Sequence, residues 1–112
     1  MDLFNRLKQQ CELAIQTAFP DRYASMDPLW LEITHSTQPN FGHYQCNSPM
    51  KLAKVWGKNP RAIAEQILTA LQQQPDIEKL CAQMSIAGPG FINFTIHPDC
   101  LSQQIAAQLK DP

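Results

Sequence analysis

An α+β fold, a small and mainly antiparallel sheet packed against amphipathic helices, is predicted by three features of this 112-residue sequence. Apolar residues recur at three- and four-residue spacing in separate segments. A run with period-two alternation, Phe91-Ile92-Asn93-Phe94-Thr95-Ile96, reads as a strand. Gly88-Pro89-Gly90 divides that strand from an earlier one, so local pairing is built into the chain. The length fits one domain over residues 1–112, and an apolar share of 44% supplies one continuous core.

Asp2 offers a cap for a first helix, whose Phe4, Leu7, Cys11, Ile15 and Ala18 form an inward stripe before Pro20 stops it. Pro20 to Pro28 reads as a connection, followed by a strand over Leu29 to Thr34 with Leu29, Leu31 and Ile33 on one face. His35 to Tyr44, with Pro39, Asn40 and Gly42, reads as an exposed turn; an additional edge strand between Gln38 and Gln45 is the alternative. Asn47-Ser48-Pro49-Met50 has the capping side chains and early proline of a helix start, and Gly57 its stop. Met50, Leu52, Val55 and Trp56 are its expected core residues.

Asn59-Pro60-Arg61 then opens a helix to Gln72 or Gln73, with Ile63, Ala64, Ile67, Leu68 and Leu71 facing inward. Asp76 to Leu80 is a short helical turn or irregular, and Met84 to Ile86 the first of the paired strands. In the second, Ile92, Phe94 and Ile96 form the core face and Phe91, Asn93 and Thr95 the opposite one. Pro98, Leu101, Ile105 and Leu109 predict a final amphipathic helix.

The formal charge of −1 selects no partner, but the charge is unevenly placed. From Ile33 to Ala64 there is no acidic residue, and Lys51, Lys54, Lys58 and Arg61 give that stretch +4 against −5 elsewhere. Helical spacing would put the three lysines on one face, where they are candidate phosphate contacts or simply a solvated surface. Cys11, Cys46, Cys81 and Cys100 lack zinc-site spacing, and His35, His43 and His97 form no metal triad. A reducing, cytoplasmic setting is expected, with neither a signal-peptide core nor a membrane-spanning run. The carboxylates form no acid–base pair, so no catalytic residue is expected here. Phe91 beside Asn93 couples a stacking surface to an amide able to read a base edge, with both expected to face solvent; core filling is the competing role.

Two ungapped segments sharpen the picture. The run from Asn40-Phe41-Gly42-His43-Tyr44 to Lys54, continued by Gly57-Lys58-Asn59-Pro60-Arg61-Ala62-Ile63-Ala64, and the run Ile86-Ala87-Gly88-Pro89-Gly90-Phe91-Ile92-Asn93-Phe94, resemble the amino-terminal domain of arginyl-tRNA synthetases. That resemblance covers essentially the whole chain. It implies a class I aminoacyl-tRNA synthetase that uses ATP, with Mg2+, to attach arginine to tRNA.

The HIGH-like and KMSK-like signatures of such enzymes do not occur here, so the resemblance implies a non-catalytic additional domain. Its expected partners are the tRNA for arginine and downstream catalytic and anticodon-binding domains of a monomeric enzyme. Contact would fall on the D-loop at the outer corner of tRNA, with Phe91 stacking, Asn93 making polar contact, and Gly88, Pro89 and Gly90 positioning the strand entrance. His43 departs from the Asp often found at its position, and Pro49 from the more familiar Ala. A protein-docking domain using Phe91 and the terminal helix is the alternative function.

Overall fold

The computed structural model describes residues 3–23, 31–35 and 43–98. In chain order these form α1 (Leu3–Ala18), α2 (Pro20–Tyr23), β1 (Ile33–His35), β2 (Tyr44–Cys46), α3 (Ser48–Trp56), α4 (Pro60–Gln72), α5 (Ile77–Leu80), β3 (Cys81–Ala87) and β4 (Phe91–Ile96). The strands make one antiparallel sheet in the order β1-β2-β4-β3, as the α+β reading expects. The expected Asp2 cap, strand residues Leu29 and Trp30, Cys100, and the terminal helix of Leu101, Ile105 and Leu109 lie outside the described residues.

α1 buries Leu7, Cys11 and Ile15 as its periodicity requires, and adds Leu3 and Ala14. It packs chiefly on α4, which buries Ile63, Ala64, Ile67, Ala70 and Leu71. α4 starts where Asn59, in an extended conformation, accepts hydrogen bonds at Oδ1 from the amides of Arg61 and Ala62. Proline in the first turn costs no intrahelical bond, so the sequence Asn59-Pro60 is self-sufficient as a helix start. Gly57, at φ 63°, ends α3 in a left-handed turn that a β-carbon would oppose.

Several expectations are corrected. β1 covers Ile33–His35, with Leu31 and Glu32 outside the ladder, although Leu31 and Ile33 are both buried. The segments read as a turn or an edge strand run at their ends into β2, which pairs on both sides and is an interior strand. β3 extends from Cys81 to Ala87, longer than expected, because α5 hands directly into it. The ladder slips between Cys81 and Gln83, absorbing one residue as a bulge. In α3, Leu52 is buried and Met50 and Trp56 are half-buried, but Val55 is 50% exposed.

One face of the sheet enters the core through Ile33, Tyr44, Cys46, Ile92, Phe94 and Ile96. Each fully buried aliphatic or aromatic side chain of that set is worth about 1.5–3 kcal/mol in transfer from water. The thiols of Cys11 and Cys46 meet in this core. Their hydrogen bond, and then burial, hold the Cys11 thiol well above its ordinary value, so it is a small apolar side chain and not a nucleophile.

Candidate functional site

The two sequence segments that stand out as motifs meet in space. Arg61 Nη1 donates to the Gly88 carbonyl at 3.1 Å, so the start of α4 holds the turn between β3 and β4. Gly90 lies against the same helix start: a β-carbon there would come within 2.8 Å of the Pro60 carbonyl carbon and oxygen. Gly88, at φ 58°, is the turn's left-handed residue, and a β-carbon on it would lie 3.4 Å from Cδ2 of Phe91. The three residues Gly88, Pro89 and Gly90 therefore form a compact turn wedged between Pro60-Arg61 and the Phe91 ring.

Beyond the turn, strand alternation places Phe91, Asn93 and Thr95 on the face opposite the core, as the sequence predicts. Register builds a polar row across that face: Thr34 opposes Gln45, Gln45 opposes Asn93, and Asn93 opposes Ser85. Thr34 is further held by Asn47, whose Nδ2 donates to Thr34 Oγ1 at 3.3 Å. The expectation that Phe91 and Asn93 both face solvent is corrected for Asn93, which is only 3% exposed. It lies on an interior strand, between the row neighbours Gln45 and Ser85 and the strand neighbours Phe91 and Thr95. Phe91, at the strand entrance, is half-buried.

Neither Oδ1 nor Nδ2 of Asn93 has a hydrogen-bond partner among the described residues. Most buried polar groups are paired, and an unpaired one costs about 1–3 kcal/mol. A side-chain amide presents a donor and an acceptor side by side, the pattern that a nucleobase edge complements. Local sequence does not mark Gln45 or Ser85 as neighbours of this amide. Alternation in β4 together with the identity of its pairing strands is the signal that finds them.

The four basic residues separate. Lys51 Nζ forms an ion pair with Glu32 at 3.1 Å, so its charge is matched locally. Lys54 is exposed on α3. Lys58 lies beyond the helix, because Gly57 has already turned the chain, and its ammonium sits 5.8 Å from the Phe19 ring centre. Arg61 is committed to Gly88. The expected lysine face is thus kept in part: Lys51 and Lys54 share α3 at three-residue spacing, and Lys58 lies beyond its end. Arg22 over the Trp56 ring, at 5.3 Å, and Phe19 packed on Trp56 complete the cluster around Lys58.

The histidines have structural partners. His43 Nδ1 accepts from the Ile96 amide at 3.0 Å while the His43 amide donates to the Phe94 carbonyl, tying the far end of β4 to the start of β2. His97 Nε2 donates to the Glu78 carbonyl at 2.8 Å. Pro49 is buried in the first turn of α3, whose capping Asn47 makes no side-chain cap bond. Among the described residues no group of three His, Cys, Asp or Glu side chains is arranged to hold a metal ion, and no helix is long and apolar enough to cross a membrane.

Comparison with known proteins agrees with these motifs. The family model described as the arginyl tRNA synthetase N terminal domain matches residues 5–96. An arginine-tRNA ligase of Chlamydia pneumoniae is 48% identical over 103 residues, covering 92% of this chain and 17% of the relative. One from Synechococcus sp. (strain CC9311) is 43% identical over 106 residues, covering 95% of this chain and 18% of the relative. The chain therefore spans under a fifth of the length of the curated relatives it matches. The crystal structure of arginyl-tRNA synthetase from Plasmodium falciparum shares the fold, with a TM-score of 0.72 at 22% identity over 94% of this chain and 18% of that one. With the family model covering most of the sequence, this chain belongs to the arginyl-tRNA synthetase N-terminal domain family.

Proposed function

We propose that this chain is the tRNA-contacting, non-catalytic domain of a longer arginine-tRNA ligase, and that it takes an unpaired D-loop nucleotide at the outer corner of the tRNA for arginine. The single observation that carries this reading is the buried amide of Asn93, unpaired at both polar atoms, two residues from the half-buried Phe91 ring on the same face. A base stacked on Phe91 brings its edge toward Asn93, whose Oδ1 accepts from a ring or exocyclic N–H and whose Nδ2 donates to a ring nitrogen or carbonyl. Gln45, directly opposite in the ladder, flanks the amide on the neighbouring strand. Gly88, Pro89 and Gly90 fix the strand entrance, and Lys54 and Lys58, both exposed, are candidates for a phosphate.

ATP-dependent activation of arginine belongs to the remainder of such an enzyme. No step of that chemistry is assigned to the residues of this chain. A purely protein-docking role draws on Phe91 and a terminal helix outside the described residues, and the same measurement separates the two. In the full-length enzyme, Asn93→Ala and Phe91→Ala should each weaken binding of the tRNA for arginine about ten-fold, the loss of one polar or stacking contact, with Gln66→Ala as a surface control. Unchanged tRNA affinity and unchanged aminoacylation kinetics in both variants would reject the reading.

A further inference from the structure

We infer that Arg61 acts as a positioning residue for the nucleotide-contacting face, clamping the Gly88–Gly90 turn so that the Phe91 ring is held ready for a base. The inference rests on the reading of Phe91 and Asn93 given above. It also reassigns Arg61 from the set of candidate phosphate contacts to the architecture of the site.

Four contacts make the clamp. The base of the Arg61 side chain is fixed because its backbone amide donates to Asn59 Oδ1 at 2.8 Å. From that anchor the guanidinium reaches across 27 residues of sequence to the Gly88 carbonyl at 3.1 Å. The neighbouring Pro60 backbone closes on Gly90 so tightly that no β-carbon fits. Gly88 in turn packs under the Phe91 ring, at 3.4 Å from the position a β-carbon would take.

Phe91 is the first residue of β4 and is paired only to Ala87 of β3, since the ladder to β2 begins at Ile92. Its ring therefore depends on the turn for one of its walls, whereas Asn93 is held by ladders on both sides. Releasing Gly88 loosens the stacking partner and leaves the amide in place. A guanidinium held on a backbone carbonyl in this way acts on bound RNA through Phe91.

The two roles differ in salt dependence and in additivity. Equilibrium binding of fluorescently labelled tRNA for arginine to the full-length enzyme, over a series of salt concentrations, is measured for Arg61→Met, Phe91→Ala and the double variant. The expected result is about five-fold weaker binding for Arg61→Met, the effect of one lost hydrogen bond, with no change in the slope of log affinity against log salt. In the Phe91→Ala background Arg61→Met should add nothing, because the two residues act as a unit. In aminoacylation the KM for tRNA rises and kcat is unchanged.

A slope reduced by about 0.7 with additive losses would overturn the inference in favour of a direct phosphate contact. So would unaltered affinity at reduced thermal stability, the result of a latch that serves the fold alone. Phe91→Ala binding as well as the parent would instead defeat the underlying reading of the site. If Arg61→Met does not fold, Arg61→Gln, which removes the charge and keeps a shorter donor, is measured in the same way: an unchanged slope with weaker binding supports the clamp, and a reduced slope overturns it.

Discussion

The two faces of β4 are made from alternate residues of one six-residue strand, yet they obey opposite rules. Ile92, Phe94 and Ile96 are buried in the apolar core cluster and carry no polar side-chain atom. Asn93 is buried almost as deeply, but in a row of Thr34, Gln45 and Ser85, and its amide has neither bond made. The difference teaches that low exposure has two meanings in this domain. On the inner face it measures stabilisation; on the outer face it marks an amide whose bonding capacity the fold leaves unused.

Substitutions on each face break that contrast in opposite directions. The largest effect is expected for Phe94→Ala, which removes a fully buried ring from the core and should destabilise the domain by about 3–5 kcal/mol in chemical denaturation. Asn93→Leu, nearly isosteric, should stabilise it by about 1–2 kcal/mol, because it deletes an unpaired buried amide, while it abolishes the proposed tRNA contact. A loss of stability in Asn93→Leu would mean that the amide is satisfied in solution and would erase the contrast. The smallest effect is expected at the strand's far end. His43→Ala removes the acceptor for the Ile96 amide and should cost about 1 kcal/mol, whereas His43→Asp, which restores an acceptor, should cost less in the same denaturation assay.

Legibility in the sequence followed the range of the interactions involved. α1, α4 and β4 are written in local periodicity, and the caps at Asn59 and Gly57 in local chemistry, so their place could be read from neighbouring residues. β2 was not legible as an interior strand, because three residues beside a turn-rich segment carry too little pattern and acquire their burial from β1 and β4. At the site, alternation put Phe91 and Asn93 on one face. The burial of Asn93 follows from its central place in the sheet, and the grip of Arg61 on Gly88 from an approach of distant segments; neither has a local signature. The lysines misled for a related reason, since their common spacing held only until Gly57 ended the helix and Glu32 claimed Lys51.

The strand order has a consequence for how the domain is made. β2 and the strand that completes it are separated by α3, α4, α5 and β3, so Tyr44–Cys46 leaves the ribosome with one ladder edge open until Phe91–Ile96 follows. The surface that carries Asn93 cannot exist in a partly synthesised chain, because residues from all four strands compose its polar row. A nascent chain cut short before Phe91 would display apolar side chains and strand edges in place of that surface, the hallmarks of a substrate for chaperones. The polar row thus arrives together with completion of the sheet, and no earlier.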